Sequence, residues 1–471
     1  MTRIAIGCIL LAITANAADE LPDGSIPVWF RDDAGRHVIP RGFVVVTEQG
    51  TTQTDYTAAD YARMVRLGAN FQIIRLTLGP LGGWPGNTLQ QSYLDKVDRF
   101  VALGREAGLR TVFKLTVYYC KGFDWTVLWE NAHGEQDAVA KAWHLIWERY
   151  KDEASVFGYD LLNEPHKGTL PDYRACEVEC LVPLYRRLID ELHAVDSEKW
   201  ALYQPLLRND ADRPQHYNPF VEMLTPIERE RIAYAPHTYE TTLDKIAPTL
   251  QRYREEAARS GAPMMMGEWG PATPEAMDRA WEKQVRCQRI YRTTVEEFDR
   301  WGLGGMKAWF TGSEHMLKGK TGRFTWAVFR DPVAVGTAER KYLMDYVARP
   351  GPLAVAGRIE RYAFDFATRT FRMRFSPDRS VETSTLYVGA DRHYPDGFSV
   401  ALDGSVLLTW DPMDGDTLRA TEDGADTFTW DNRTQRLIVS RWPGDGTVCL
   451  LRIFPGTTGL EQVYVNAEGE E

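Results

Sequence analysis

Two short stretches carry the residue types of acid–base chemistry. Gly158-Tyr159-Asp160-Leu161-Leu162-Asn163-Glu164-Pro165 runs from an apolar segment into an Asn-Glu pair stopped by proline. Met264-Met265-Met266-Gly267-Glu268-Trp269-Gly270 delivers a second glutamate in the same way. In both, a carboxylate stands where a buried strand gives way to a loop. A glutamate in a less polar pocket keeps its proton and serves as a general acid; one that stays ionised can attack as a nucleophile. Two facing carboxyls with these split roles are equipped to cleave a glycosidic bond. Taken alone, Asn163-Glu164-Pro165 reads equally well as a helix cap, so the surrounding elements must decide.

Those elements form a regular series. Eight apolar runs read as buried strands: Phe43–Val46, Phe71–Leu76, Thr111–Tyr118, Val156–Leu162, Trp200–Leu206, Arg231–Pro236, Pro263–Gly267 and Gly304–Trp309. Between them lie helix-period stretches such as Ala58–Leu67 and Tyr93–Ala107, closed by Gly68 and Gly108 at helix ends. This is the size and rhythm of a (β/α)8 TIM barrel, although a doubly wound open sheet has the same local pattern. Arg75, Glu164, His237, Glu268 and Trp309 all fall at or just past the C-terminal end of a strand, and only a barrel gathers them on one face.

Arg349-Pro350-Gly351-Pro352 breaks the rhythm. Beyond it, short alternating runs from Ile359 to Phe454 with Asp, Gly and Pro turns predict a C-terminal antiparallel β-sandwich. The expected organisation is a signal peptide over residues 1–17, a catalytic barrel over 18–348, a sandwich over 349–456 and an acidic tail over 457–471. The signal rests on Arg3, the apolar Ile4–Ile13 and the small residues Ala15-Asn16-Ala17, and it predicts a secreted or periplasmic protein. Its removal leaves five cysteines, an odd number that cannot all pair internally.

Composition narrows the partners. A net charge of −11 on 471 residues opposes binding to nucleic acid or anionic lipid, and no apolar run after the leader is long enough to span a bilayer. Fifteen Trp and 21 Tyr suit the flat faces of sugars, although a barrel core also uses them. No GxxxxGK[ST], GxSxG or HExxH pattern occurs, and Cys176 with Cys180 lacks two convincing further zinc ligands. No metal or cofactor is expected.

Together, Gly158–Pro165, Pro236-His237-Thr238-Tyr239 and Gly267-Glu268-Trp269-Gly270 resemble the motifs of glycoside hydrolase family 5. Cys176-Glu177 with Leu181–Tyr185, Ala194-Val195-Asp196 and Arg349–Gly357 resemble its endoglycoceramidase-like branch, which acts on glycolipids. The resemblance implies that Glu164 is the acid/base and Glu268 the nucleophile. It further implies that Arg75 keeps Glu268 ionised, Asn163 binds a sugar hydroxyl, Tyr239 contacts the nucleophile, His237 sits between carboxylates and sugar, and Trp309 stacks beneath it.

One stretch departs from the family. Its third strand usually ends in Asp-x-His, whereas this chain reads Lys114-Leu115-Thr116-Val117-Tyr118-Tyr119. Lys114 is expected to be neutralised by a neighbouring carboxylate such as Asp160, and Tyr118 to take over sugar contacts. A β-glucanase, cellulase or mannanase is the rival reading of the substrate, and an inactive carbohydrate-binding barrel is the rival from another class.

Overall fold

The computed structural model describes residues 30–47, 55–84, 86–118, 120–208, 220–271, 273–274, 281–308, 310, 314–316, 323–329, 339–421, 427–442 and 447–456. The leader over 1–17, the tail over 457–471 and Trp309 lie outside them. Within them, strands β1 (Arg41–Val46), β2 (Phe71–Thr77), β3 (Arg110–Thr116), β4 (Val156–Asp160) and β5 (Trp200–Tyr203) run parallel beside one another, followed by β6 (Ile232–Tyr234). Strands β7 (His237–Thr238), β8 (Met265–Trp269) and β9 (Gly304–Lys307) return the sheet to β1.

Strands β6 and β7 are two halves of one stave. Pro236 lies between them and cannot donate to a ladder, so regular pairing is interrupted there. Contact with β8 nonetheless continues on both sides of the break. Tyr234 N bonds Pro263 O at 2.9 Å, Gly267 N bonds Pro236 O at 3.0 Å, and His237 pairs with Glu268. The sheet therefore closes, which settles the choice between a barrel and an open sheet.

Alternation along each strand serves two cores. Phe43, Val45, Ile74, Leu76, Phe113 and Leu115 face the surrounding helices, while Val44, Val46, Phe71, Ile73, Val112 and Leu202 fill the barrel interior. Parity then sends Arg75 and Lys114 inward as well. Val46 pairs with Arg75, Arg75 with Lys114, Lys114 with Asp160, and Asp160 with Leu202, so three charged residues share one layer above an apolar floor. Gly158 has its own reason within this packing: a Cβ there would lie 2.4 Å from the carbonyl oxygen of Trp200. Trp143 and Trp147, on the helix Glu135–Tyr150, are fully buried and stacked at 5.9 Å, and they pack outside the barrel as core.

The C-terminal region forms two six-stranded sheets, largely antiparallel. One contains the hairpin of Phe30–Arg31 and His37–Val38, which precedes the barrel in sequence, and His37–Val38 pairs there with Gly351–Val355. Gly351–Val355 is thus a strand, although its prolines signalled only a break; the irregular register between Pro352 and Ala354 accommodates the missing donor. Phe398–Leu402 is a further strand that the sequence reading did not separate from its neighbours. Trp410, Trp430 and Trp442 are buried between the sheets, so they form core and no exposed platform.

Barrel and sandwich are pinned together by buried polar contacts. Arg349 Nε donates to both oxygens of Asp299, at 3.0 and 2.9 Å, and Arg41 Nη2 donates to the carbonyls of Val347 and Arg349 at 3.1 and 2.7 Å. No helix among the described residues is long and apolar enough to cross a membrane. The five described cysteines are all free thiols.

Candidate active site

Glu164 is held by its backbone before its side chain does anything. Past the end of β4, Asn163 N bonds Leu115 O at 2.8 Å and ties the loop to β3. Glu164 itself adopts φ 50°, a left-handed conformation that a side-chain-bearing residue keeps only under constraint. The constraint is Gln204, beyond β5: its Oε1 accepts the Glu164 N–H at 3.0 Å and its Nε2 donates to Asp160 Oδ2 at 2.6 Å. Tyr185 OH brackets the Gln204 backbone, donating to its oxygen at 3.0 Å. Asp160 is fully buried, and desolvation pushes its carboxyl up to about 8 against the opposing field of Lys114, so it is neutral near pH 7.

Glu268 is held by its side chain. Lys114 Nζ forms a buried ion pair with Oε1, and the Tyr239 hydroxyl donates to Oε2. His237 Nδ1 lies 2.9 Å from Glu164 Oε1 and 3.8 Å from Glu268 Oε2, so the imidazole stands between the two carboxyls. One oxygen of Glu164, one nitrogen of His237 and one oxygen of Glu268 all lie within 4.8 Å of one another. Burial opposes ionisation of Glu268, yet the fields of Lys114, His237 and Arg75 hold its carboxyl well below the ordinary range. At Glu164 burial also pushes up, and the hydrogen bond and field of His237 pull the carboxyl down less far. Glu164 is therefore the one of the pair that holds a proton more readily.

A barrel carboxylate does neutralise Lys114, but it is Glu268 and not the Asp160 named as the example. The lysine is beside Asp160 in the sheet but gives its proton-bearing nitrogen to Glu268, because the desolvated Asp160 remains neutral and Glu268 is the anion within reach. Arg75 is buried in the same layer, and its field acts on Glu268. Tyr118 is turned to Asn163, accepting from Nδ2 at 2.7 Å, while Asn163 Oδ1 is buried without a hydrogen-bond partner among the described residues. Gln204 escaped the sequence reading, since nothing in Tyr203-Gln204-Pro205 marks it; only its place at a strand end hinted at a role.

The Glu164–His237–Glu268 trio is the one compact cluster of metal-ligating types among the described residues. Its donor set is a poor cation cradle, because Lys114 and Tyr239 occupy both oxygens of Glu268 and the positive charge of Lys114 already balances it. What the arrangement can do is divide labour between two carboxyls, one ionised and one able to exchange a proton. Trp84 and Phe123 from loops, with Trp125 and Trp129 from the short helix Trp125–Glu130, form an aromatic group tied to the Glu164 loop by Trp129 Nε1 donating to His166 O at 2.8 Å.

Comparison with known proteins agrees with this geometry. The family model for cellulases of glycosyl hydrolase family 5 matches residues 35–296, more than half of the chain. The chain belongs to glycoside hydrolase family 5. The family 5 C-terminal domain model matches residues 349–448. Among curated relatives of this family 5 chain, endoglycoceramidase I of Rhodococcus hoagii (strain 103S) is 25% identical over 298 residues, covering 60% of this chain and 55% of the relative. An endoglycoceramidase of Hydra vulgaris is 21% identical over 299 residues, covering 60% and 51%. The chain thus spans about half the length of the curated relatives it matches. In fold it is similar to endo-glycoceramidase II from Rhodococcus sp., with a TM-score of 0.67 at 22% identity over 92% of this chain and 100% of that one. An endogalactoceramidase gives 0.63 at 17% identity over 92% and 99%.

Proposed function

We propose that this family 5 chain is a secreted, retaining β-glycosidase that cleaves the bond between a sugar and a lipid aglycone. The observation that carries the mechanism is the approach of Glu164 and Glu268 to within 4.8 Å, with His237 between them. Retaining enzymes hold their carboxyls ~5–5.5 Å apart, whereas inverting enzymes need ~6.5–9.5 Å to admit a water. The separation supports direct attack by the protein.

In the first step a Glu268 oxygen attacks the anomeric carbon. The bond to the leaving oxygen breaks as Glu164 donates its proton to that oxygen, giving a glycosyl ester on Glu268. In the second step Glu164 takes a proton from water, the hydroxide attacks the same carbon, and the electron pair returns to Glu268. Asn163 Oδ1 is free to accept a sugar hydroxyl, and Tyr239 orients the nucleophile. His237 stands between the two carboxyls and fixes the position of Glu164 through its Nδ1. Trp309 remains the proposed stacking residue from its position after β9. The glycolipid class is favoured by the similarity to endoglycoceramidases over both barrel and sandwich, and export by the Met1–Ala17 stretch.

The test is covalent trapping. A 2-deoxy-2-fluoro β-glycoside with a dinitrophenyl leaving group should add one glycosyl mass to Glu268, and Glu268→Gln should lose both labelling and turnover while melting like the wild type. Labelling elsewhere, or turnover by the variant, would overturn the mechanism. Activity on β-glucan with none on glucosylceramide or a ganglioside would replace the lipid aglycone by a polysaccharide.

A further inference from the structure

Lys114 is a buried cation in direct contact with the group proposed as nucleophile. Its side chain has no solvent exposure, and it lies between Arg75 and Asp160 in the charged layer. A neutral Asp160 leaves Glu268 as the anion that Lys114 serves. We propose that Lys114 is a positioning residue for the second half-reaction, receiving the negative charge that returns to Glu268 when the glycosyl ester is hydrolysed. The inference rests on the double-displacement reading given above.

The physical reason lies in which state the cation favours. When Glu268 is free it carries a full charge, and the Lys114 ammonium donates a charge-assisted hydrogen bond to Oε1. When Glu268 is esterified that charge is gone, and Lys114 is left as a buried cation without its anion. In the deglycosylation step water attacks the anomeric carbon, the bond from that carbon to the Glu268 oxygen breaks, and one water proton moves to Glu164. The bonding pair stays on Glu268, where Lys114 receives it. Lys114 therefore lowers the barrier for release of the ester and slows its formation, since an already stabilised carboxylate attacks less readily. It makes Glu268 a better leaving group at some expense as an attacker.

Every charged or titratable group around Glu268 bears on how this would appear against pH. Arg75 comes from β2, Lys114 from β3, Asp160 from β4, Glu164 from the loop after β4, His237 from β7, and Tyr239 from just beyond it. Lys307 on β9 also feels the field of Glu268, but it donates to the carbonyls of Ala308 and Trp326 at 2.9 and 2.6 Å. The fields of Arg75 and Lys114 both act on Glu268, and Lys114 donates a hydrogen bond directly to its Oε1. Removing Lys114 raises the Glu268 pKa, so the acid limb of kcat/KM moves to higher pH.

The experiment uses Lys114→Met and Lys114→Arg in the full chain, with folding checked by circular dichroism and melting. Wild type and variants are inactivated by the dinitrophenyl 2-deoxy-2-fluoro glycoside of whichever sugar the wild type turns over as an aryl glycoside. Rates of inactivation and of reactivation in buffer are then read separately. Loss of one charge-assisted contact should slow reactivation about tenfold or more in Lys114→Met, leave inactivation unchanged or somewhat faster, and shift the acid limb up by about one pH unit. Lys114→Arg should restore much of the reactivation rate. If the wild type is labelled at Glu268 but Lys114→Met changes both rates in equal proportion, or leaves the acid limb in place, the role assigned to Lys114 is wrong. If the wild type itself is not labelled, the double-displacement reading fails instead.

Discussion

The two sides of the barrel mouth are built on different principles. At β8, Glu268 is set by charge: Lys114 of β3 reaches it, the field of Arg75 of β2 acts on it, and Tyr239 fixes the second oxygen. On the β4–β5 side, Glu164 is set by neutral hydrogen bonds running from Asp160 through Gln204 to its own backbone N–H. The exposures differ in the same sense, the side chain of Glu268 being 6% exposed and that of Glu164 21%. A group that must stay ionised is surrounded by cations and kept from water. A group that must exchange a proton is held by its main chain, which leaves the carboxyl to respond to substrate. His237 joins the two sides, and their pKa values are driven apart by surroundings rather than by residue type.

This contrast can be broken at three points. The largest effect is expected from Glu164→Gln, which keeps the backbone bonds but removes the exchangeable proton. Turnover of a glycoside with a poor leaving group should fall by about 10²–10⁴, and that of a dinitrophenyl glycoside far less in the first step. Equal losses on both substrates, measured as kcat/KM, would remove Glu164 from the acid's role. Next comes Gln204→Leu. With its bracing bond gone, the left-handed Glu164 relaxes, and kcat should drop about tenfold while labelling of Glu268 persists. Unchanged kcat would mean that Pro165 and the loop hold Glu164 without Gln204.

The smallest effect is thermal. Asp160 has an ordinary value of 3.8 that rises to about 8 in the folded protein, so folding favours its protonated form. The associated stability is present in full below pH 3.8 and is lost as pH rises toward 8, because the unfolded chain releases the proton first. Asp160→Asn cannot release a proton. The melting temperature of the wild type should therefore fall relative to this variant between pH 5 and 8. Parallel profiles would show that Asp160 is ionised throughout and belongs to the charged side of the mouth.

The same contrast explains how much was legible in advance. Strand ends are read from apolar runs, so Arg75, Glu164, His237, Tyr239 and Glu268 could be gathered on one face from periodicity once a barrel was assumed. Partnerships within that face are set by three-dimensional choices that no spacing encodes. Lys114 is beside Asp160 in the sheet yet reaches across the barrel to pair with Glu268. Gln204 is an ordinary residue in an ordinary sequence, made important by the strained backbone that it meets. The strand Gly351–Val355 was hidden by its prolines, and the N-terminal hairpin by the distance to its partner.

That distance has a consequence for the order in which the molecule is made. His37 and Val38 emerge from the ribosome some 300 residues before Ala354 and Val355, with which they pair. At ~5–20 residues per second the outer edge of His37–Val38 waits roughly 15–60 s for its partner strand. The entire barrel is synthesised in that interval. The sheet that braces the barrel is thus joined up only after the barrel has been made, and a hairpin built before the barrel finds its place after it.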